Sequence, residues 1–330
     1  LGPWLRSSIE ERGLQEVAFR MRALGISHPL ARIHNILNHD ERLRLDHTIA
    51  LADALGCPLS GLMRVGSKID ARGLPLKLRL SPALLRLLGY YIAEGHAEKG
   101  YFLISAFEPK MRAAVLQCLR ELGLNFSIRQ GGGDVQISSS IWARLLTLMC
   151  GRDSRSKRLP SFWPSLSRPQ LALVLSAYFS GDGCVEAGAI TTSTASDALS
   201  TELLYALSRF GIWARRRRSY KRATNSTGPK RPYWIVSISG RDDVRRYAAG
   251  IRFALRRKQD ALDDLLAKTY NTNVDVVPAA GAALRKARLA AGMSQSRLAA
   301  STGNERSYIS MLEGELRRTS RNTVAALIES

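Results

Sequence analysis

The chain has 330 residues, a hydrophobic fraction of 45% and a net charge of +21, which arises from 49 Lys and Arg against 28 Asp and Glu. This length predicts two or three folded domains, and the charge predicts a polyanionic partner without choosing between DNA and RNA. The sequence argues against a membrane protein and a zinc protein, because no apolar run matches a bilayer and the four cysteines lack ligand spacing. We expect the cysteines to be reduced, and the protein to be a monomer in the cytoplasm or nucleoid without a membrane partner.

Residues 1–72 are predicted to form a small helical domain. Within it, residues 30–63 have the pattern of amphipathic helices and resemble the latter half of a helix-turn-helix DNA-binding unit. The same helices would equally suit a structural cap. This piece also holds most of the histidines of the chain, but no ligand spacing connects them to acids or cysteines, so we predict no metal site there. These histidines are His28, His34, His39 and His47.

The middle of the chain contains an internal duplication, which a comparison of the sequence with itself reveals. At an offset of 88 residues, one set matches another: Leu87, Tyr90, Tyr91, Ala93, Glu94 and Gly95 with Leu175, Tyr178, Phe179, Gly181, Asp182 and Gly183. Further along the offset becomes 101, and a second set matches: Val135, Ile137, Ser138 and Lys157 with Val236, Ile238, Ser239 and Lys258. The extra residues fall in the very basic segment 215–233. The second copy is therefore predicted to carry a longer hairpin.

Each copy has the pattern of a helix, a strand pair, a second helix, a second strand pair and a terminal helix. The first copy is predicted to span residues 75–160, and the second residues 161–268. The alternation that places Val135 and Ile137 two apart predicts a strand with one buried face. The chain is therefore expected to be an α+β protein with a duplicated central region.

The first helix of each copy ends in an acid followed by glycine. Both helices are apolar nearly all round, which predicts burial, and each has small residues four apart, Gly89 with Ala93 in the first copy. Small residues at this spacing let two helices approach closely, so Glu94 is predicted to lie next to Asp182. Two acids at helix C-termini repel each other and the helix dipole, and a divalent cation removes that conflict. Mg²⁺ prefers hard oxygen ligands of this kind.

The segments LLGYYIAEG (residues 87–95) and LSAYFSGDG (residues 175–183) resemble the two motifs of single-chain LAGLIDADG homing endonucleases. The resemblance implies a pseudo-twofold pair of αββαββα units that form a DNA-binding β-saddle. It also implies Mg²⁺-dependent cleavage of both strands of a long, asymmetric double-stranded DNA target. The metal-binding catalytic acids would be Glu94, where the family more often has Asp, and Asp182. By the same resemblance, Lys157 and Lys258 are the basic residues of the two active centres, and their match at the offset of 101 supports this assignment independently.

In that family the saddle lies in successive major grooves, where base edges offer the richest hydrogen-bonding pattern. Candidate DNA contacts in the first copy are Arg129, Gln130, Gln136 and Ser138. Those in the second copy are Thr192, Thr194, Arg215, Arg217, Lys221, Arg222, Lys230 and Arg231. Because side chains alternate along a strand, Arg215 and Arg217 are predicted to face bases while Arg216 and Arg218 reach phosphate or solvent, although the opposite parity remains open.

Residues 278–330 resemble the helix-turn-helix of phage repressors. Ser294 is predicted to cap the second helix, Gly303 to lie in the turn, and residues 304–313 to form the recognition helix. By that match the DNA contacts are Gln295, Arg306, Ser307 and Ser310.

The order of these parts is similar to the nuclease insert of archaeal-type inteins. The chain has no cysteine at its start and no His-Asn at its end, so self-splicing is not predicted for these residues. Two alternatives remain open. One is a transcription regulator that joins an inactivated LAGLIDADG domain to a helix-turn-helix, against which the presence of both acids and both lysines argues. The other is an RNA maturase that uses the same saddle for intron splicing.

Overall fold

The computed structural model describes residues 1–39, 41–59, 64–67, 70, 73–186, 188–221, 229–267 and 276–329. It has the predicted α+β class, with helices and antiparallel sheets. The chain divides into two compact units. The first unit comprises Leu1–Ser81, Ala97–Phe102 and Ile137–Leu145. The second comprises Pro82–His96, Leu103–Gln136 and Leu146–Ser330. Within the described ranges, no helix has the length and apolarity needed to cross a membrane.

The N-terminal part is helical, as the sequence predicts. Its helices are α1 (Gly2–Arg12), α2 (Leu14–Ala23), α3 (Pro29–Asn38) and α4 (Leu45–Leu55). They enclose a core that includes Val17, Met21, Ile33 and Leu51, each no more than 2% exposed. Two short antiparallel strands follow, β1 (Arg64–Val65) and β2 (Leu74–Pro75).

The first copy has the predicted succession of elements. These are α5 (Pro82–Glu94), β3 (Gly95–Ala97), β4 (Phe102–Ser105), α6 (Pro109–Glu121), β5 (Ser127–Ile128), β6 (Asp134–Ile137) and α7 (Ser140–Cys150). The strands form a sheet in the order β3-β4-β6-β5. Val135 and Ile137 are buried while Asp134 and Gln136 are partly exposed, which confirms the one buried face predicted for β6.

The second copy repeats this plan and adds a helix. Its elements are α8 (Arg168–Asp182), β7 (Gly183–Glu186), β8 (Ala189–Thr194), α9 (Asp197–Ser208), β9 (Arg215–Lys221), β10 (Arg231–Ser239), α10 (Arg241–Gly250) and α11 (Arg256–Ala267). The sheet order β7-β8-β10-β9 corresponds to that of the first copy. The predicted longer hairpin is confirmed, because β9 and β10 pair from Arg215 with Ser237 to Lys221 with Arg231.

The C-terminal part contains β11 (Val276–Val277), α12 (Ala280–Ala290), α13 (Gln295–Ser301), α14 (Arg306–Glu313), β12 (Thr319–Ser320) and α15 (Arg321–Glu329). The predicted cap of α13 is confirmed, since the Ser294 hydroxyl accepts a hydrogen bond from the Arg297 amide at 3.1 Å. The next helix begins at Arg306, two residues after the predicted start. A buried ion pair joins Arg288 of α12 to Glu313 of α14 at 2.5 Å.

Candidate active site and nucleic-acid interface

Helices α5 and α8 pack side by side through their small residues. A Cβ placed on Gly89 would lie 2.3 Å from the Val174 carbonyl oxygen and 2.7 Å from the Ala177 Cβ. A Cβ placed on Gly181 would lie 2.5 Å from the Ala93 Cβ. Gly89 and Ala177 are equivalent positions of the two copies, and so are Ala93 and Gly181. The predicted close approach is therefore confirmed, with one glycine and one alanine at each symmetric contact.

Each acid is the last residue of its helix, and the following glycine is already the first residue of a strand. Gly183 has extended backbone angles (φ −82°, ψ 151°), so its role is not to supply a left-handed turn. Instead, a Cβ on Gly183 would lie 2.5 Å from the Phe179 carbonyl oxygen, and one on Gly95 would lie 2.4 Å from the Tyr91 carbonyl oxygen. Space, rather than φ, requires glycine after each acid. Glu94 and Asp182 thus stand where the helix pair meets the first strand of each sheet.

Ionisation of both carboxylates is disfavoured at this site. Burial and the charge of Glu94 raise the pKa of Asp182 well above its usual range, while Lys258 and Lys157 oppose that rise. Burial also raises the pKa of Glu94, and Lys258 again opposes the rise. Within the described part of the chain, neither carboxylate has an ion-pair partner within 4 Å. This pair of partly exposed oxygen donors without a salt-bridge partner fits a hard divalent cation, which would favour their ionised form.

A cation held at this point would need ligands from elsewhere as well. Among the residues that the structure describes, no group of three or more His, Cys, Asp or Glu side chains comes together. Glu94 and Asp182 would therefore act as a two-carboxylate site, which leaves positions for water and phosphate oxygens, as Mg²⁺ sites at phosphoryl groups commonly do.

Lys157 lies in the loop after α7 and is 3% exposed. Its ammonium donates to the Tyr91 carbonyl oxygen at 2.7 Å and lies 3.4 Å from the centre of the Tyr91 ring. Burial lowers the pKa of Lys157 to about 7. The loop is held by α9, because Ser196 donates to the Lys157 carbonyl oxygen at 2.5 Å and Glu202 accepts from the Leu159 amide at 2.6 Å. The motif does not predict the roles of Ser196 and Glu202, because both belong to the second copy and contact a loop of the first copy.

Lys258 lies in the first turn of α11 and is partly exposed. Its ammonium donates to the Gly181 carbonyl oxygen at 2.7 Å, directly before Asp182. Burial lowers the pKa of Lys258, and the charge of Asp182 opposes that change. Lys157 instead contacts the carbonyl three residues before Glu94. The four predicted residues meet at one end of the helix pair, but the two lysines occupy different environments.

The predicted contacts of the first sheet lie on the side of β6 that faces away from the core, or beyond the strand ends. Gln130 and Ser138 are exposed, and Arg129 donates to the Gln136 side chain at 2.7 Å. The prediction omitted Asp134, whose carboxylate accepts from the Ser105 hydroxyl of β4 at 2.7 Å. The alternation of β6 could have identified it, because Asp134 shares a face with Gln136.

For Thr192 and Thr194 the structure corrects the prediction. Both are buried, at 2% and 6% exposed. The Thr192 hydroxyl is hydrogen-bonded to Tyr178, and the Thr194 hydroxyl accepts from the Ser196 amide. These two threonines point into the protein, so the outward positions of β8 are those of Thr191 and Ser193.

The arginines of β9 have different surroundings. Arg215 and Arg217 are exposed, as the predicted parity requires. Arg216 is held against the protein rather than extended into solvent, which corrects its predicted position: its side chain is 20% exposed and stacks on Trp234 with the guanidinium carbon 3.6 Å from the ring centre. It also donates to Asp197 and Thr201 of α9.

At the end of this hairpin, Lys230 and Arg231 are exposed. Lys221 closes β9 opposite Arg231. Arg222 lies outside the described residues.

Three of the four contacts predicted in the C-terminal part are exposed. Arg306, Ser307 and Ser310 lie at the surface of α14. Gln295 is turned inward, because its side-chain amide donates to the Glu313 carboxylate at 2.9 Å. Glu313 thereby joins α12, α13 and α14 through Arg288 and Gln295.

Part of the second copy matches the model of a known family. Residues 169–252 match the model of the LAGLIDADG-like domain. The chain is 35% identical over 190 residues to the DNA polymerase II large subunit of Thermococcus kodakarensis. This match covers 56% of this chain and 10% of that protein. It is 27% identical over 201 residues to the replication factor C small subunit of Methanocaldococcus jannaschii, covering 59% and 11%. The chain thus spans about a tenth of the length of these curated relatives.

Two solved structures are similar at low identity. One is I-DmoI in complex with DNA and Mn, with 13% identity, a TM-score of 0.38, and coverage of 58% of this chain and 100% of that chain. The other is full-length DUF199/WhiA from Thermatoga maritima, with 12% identity, a TM-score of 0.40, and coverage of 72% and 90%.

Proposed function

We propose that this protein is a site-specific homing endonuclease that makes a double-strand break in a long, asymmetric DNA target by Mg²⁺-dependent phosphodiester hydrolysis. The observation that carries the proposal is the placement of Glu94 and Asp182 at the ends of two symmetric helices whose backbones touch through Gly89 and Gly181. A repeated structure that brings two carboxylates together, at an electrostatic cost to both, supports a cation-dependent centre.

Each residue of the centre has a chemical task in this proposal. Glu94 and Asp182 would hold the divalent cation, which when bound would supply activation of water and stabilisation of the leaving oxygen of the phosphodiester. Lys258, with its ammonium at the carbonyl oxygen before Asp182, stabilises negative charge that develops on the phosphate. Lys157 would act in the same way for the other strand, from its more enclosed position beside Tyr91.

The outward faces of the two sheets would bind DNA. Arg215, Arg217, Lys230 and Arg231 are exposed on or beside the longer hairpin, where they suit phosphate and base contacts. The N-terminal and C-terminal helical parts would add helix-turn-helix contacts, with Arg306, Ser307 and Ser310 on α14. In this proposal the two repeats, residues 75–160 and 161–268, carry the nuclease, and residues 1–72 and 278–330 are the flanking helical DNA-binding parts.

The pattern of relatives supports an origin as a mobile insert of the intein type. Segments similar to this chain occur in proteins as different as a DNA polymerase subunit, a replication factor C subunit and an RNA polymerase subunit. In each case the matched part is a minor share of the named protein, from 10% to 26%. A segment shared by unrelated hosts is expected of an inserted element.

Cleavage of a library of duplexes with a randomised centre, in the presence of Mg²⁺, tests the proposal. We expect one selected sequence to be cut on both strands, and Glu94→Gln and Asp182→Asn each to abolish cutting while duplex binding persists. Glu121→Gln is the matched control, because it removes one carboxylate from an exposed position at the end of α6. Selective duplex binding without cutting would favour a transcription regulator, and selective binding of intron RNA that restores splicing would favour a maturase.

A further inference from the structure

The outward face of the first sheet carries an acid where a DNA-binding surface would be expected to carry basic or amide side chains. Asp134 begins β6, and the burial pattern of the strand places it on the same face as Gln136, opposite to Val135. Asp134 is partly exposed, like its neighbour Gln136. The acid therefore lies on the surface that the proposed function turns towards DNA.

Asp134 is held in position by its neighbours. Its Oδ1 accepts from the Ser105 hydroxyl of β4 at 2.7 Å, and its main-chain carbonyl accepts from the Arg129 amide at 3.0 Å. Arg129 in turn donates to the Gln136 side chain at 2.7 Å. The carboxylate is thus fixed across two strands, and its second oxygen retains hydrogen-bonding capacity on a partly exposed side chain.

A fixed carboxylate on this face weakens the general attraction for DNA, because it repels phosphate in a chain whose net charge is +21. The bond to Ser105 does not require that charge, since an asparagine oxygen would accept it equally well. A carboxylate is favoured only where it meets a hydrogen-bond donor on the nucleic acid. In the major groove, the exocyclic amino group of cytosine is such a donor, whereas guanine and thymine present acceptors at the corresponding edge. Adenine also offers an amino group, but next to the N7 acceptor, which repels a carboxylate.

We propose that Asp134, oriented by Ser105, reads a cytosine in the half of the target beneath the first sheet. The carboxylate accepts from the cytosine amino group and repels the acceptor atoms of guanine and thymine. This inference rests on the proposed docking of the sheet on DNA, but it requires only binding and not cleavage. It makes Asp134 a determinant of sequence specificity that opposes general affinity.

Selection of randomised duplexes by binding to the full chain in EDTA, which leaves the strands intact, tests this assignment. We expect the wild-type chain to prefer cytosine at one position by about tenfold or more. Asp134→Asn should remove that preference while raising affinity for unrelated duplexes. Ser105→Ala should weaken the preference at the same position several-fold, and Glu121→Gln, which removes one charge from a helix end, should leave the whole profile unchanged.

A thermodynamic cycle on the selected duplex gives a second readout. Exchange of the C·G pair for T·A at that position should cost the wild-type chain about tenfold in Kd and the Asp134→Asn chain less than about twofold. Thermal unfolding of each variant establishes that the fold is retained. If Asp134→Asn strengthens binding to all sequences uniformly and leaves the profile unchanged, the carboxylate is not a base reader and the assignment is wrong. A chain that selects sequences but never cuts would contradict the nuclease and leave the test of Asp134 intact.

Discussion

The two copies of the repeat agree where their backbones meet and differ where they face outward. At the helix pair, each contact joins one glycine to one alanine, and each helix ends in an acid. On the sheets, the first copy has a short hairpin with Asp134 and Gln136, whereas the second has a long hairpin with exposed Arg215 and Arg217. The centre allows little variation because two helices share one narrow space. The sheet faces can diverge because each would meet a different half of the DNA.

Substitution of the two lysines should give the largest difference between the two active centres. Lys258 lies at the carbonyl next to Asp182, so Lys258→Met is expected to slow single-turnover cleavage on the order of 10²–10³-fold, about 3–4 kcal/mol. Lys157→Met is expected to have the smaller effect on total cleavage, because Lys157 is enclosed against Tyr91. Equal losses in both variants, measured on the same duplex, would show that the two environments do not matter for the chemistry.

Close packing of the helix pair gives the next largest effect. Gly89→Ala would place a methyl group 2.3 Å from the Val174 carbonyl oxygen, which is main chain and cannot move aside cheaply. We expect a loss of about 3 kcal/mol in the free energy of unfolding, measured in denaturant, with a loss of cleavage as the acids shift. Gly100→Ala is the control, since nothing lies within 4 Å of its added Cβ. If both variants unfold alike, the helix contact is not as tight as the structure indicates.

The sequence predicted the centre better than the sheet surface, for physical reasons. Apolar residues repeated at a fixed offset mark buried helices, and acid-glycine pairs mark their ends, so Glu94 and Asp182 could be paired from the sequence alone. In β8 the run TTST contains no apolar residue that distinguishes inside from outside, so Thr192 and Thr194 were assigned to the wrong face.

Residues whose surroundings depend on distant partners were likewise beyond the sequence. Four successive arginines are chemically identical, and the contacts with Trp234, Asp197 and Thr201 distinguish Arg216 from the others. The inward position of Gln295 depends on Glu313, 18 residues further along the chain. Such contacts are tertiary and leave no local pattern.

Enclosure of Lys157 has a pH-dependent consequence for stability. Its folded pKa of about 7 lies below the unfolded value of about 10.4, so between these values the unfolded chain binds more protons. This residue therefore lowers stability most below pH 7, and the penalty disappears as the pH rises towards 10. Lys157→Met should raise the free energy of unfolding by about 2 kcal/mol near pH 6 and by little near pH 10. If Lys157→Met raised the free energy of unfolding equally at both pH values, the conclusion that enclosure disfavours the charged form of Lys157 would be wrong.

The smallest effects concern the two faces of β9. Arg217→Ala should weaken binding of the selected duplex by about tenfold, with little change in unfolding, because Arg217 is exposed. Arg216→Ala should instead lower the free energy of unfolding by about 1–2 kcal/mol, because it removes the stack on Trp234 and the bond to Asp197. Binding assays and denaturant unfolding on both variants test these assignments. If Arg216→Ala weakened binding and Arg217→Ala lowered stability, the two faces of β9 would have to be exchanged.

Binding of Mn²⁺ to the complex of the chain with its selected duplex, followed by electron paramagnetic resonance, tests the central claim most directly. We expect tight Mn²⁺ binding to the wild-type complex, and loss of that binding in both Glu94→Gln and Asp182→Asn while each variant still holds the duplex. Undiminished Mn²⁺ binding in both variants would contradict the claim that these two carboxylates form the metal site.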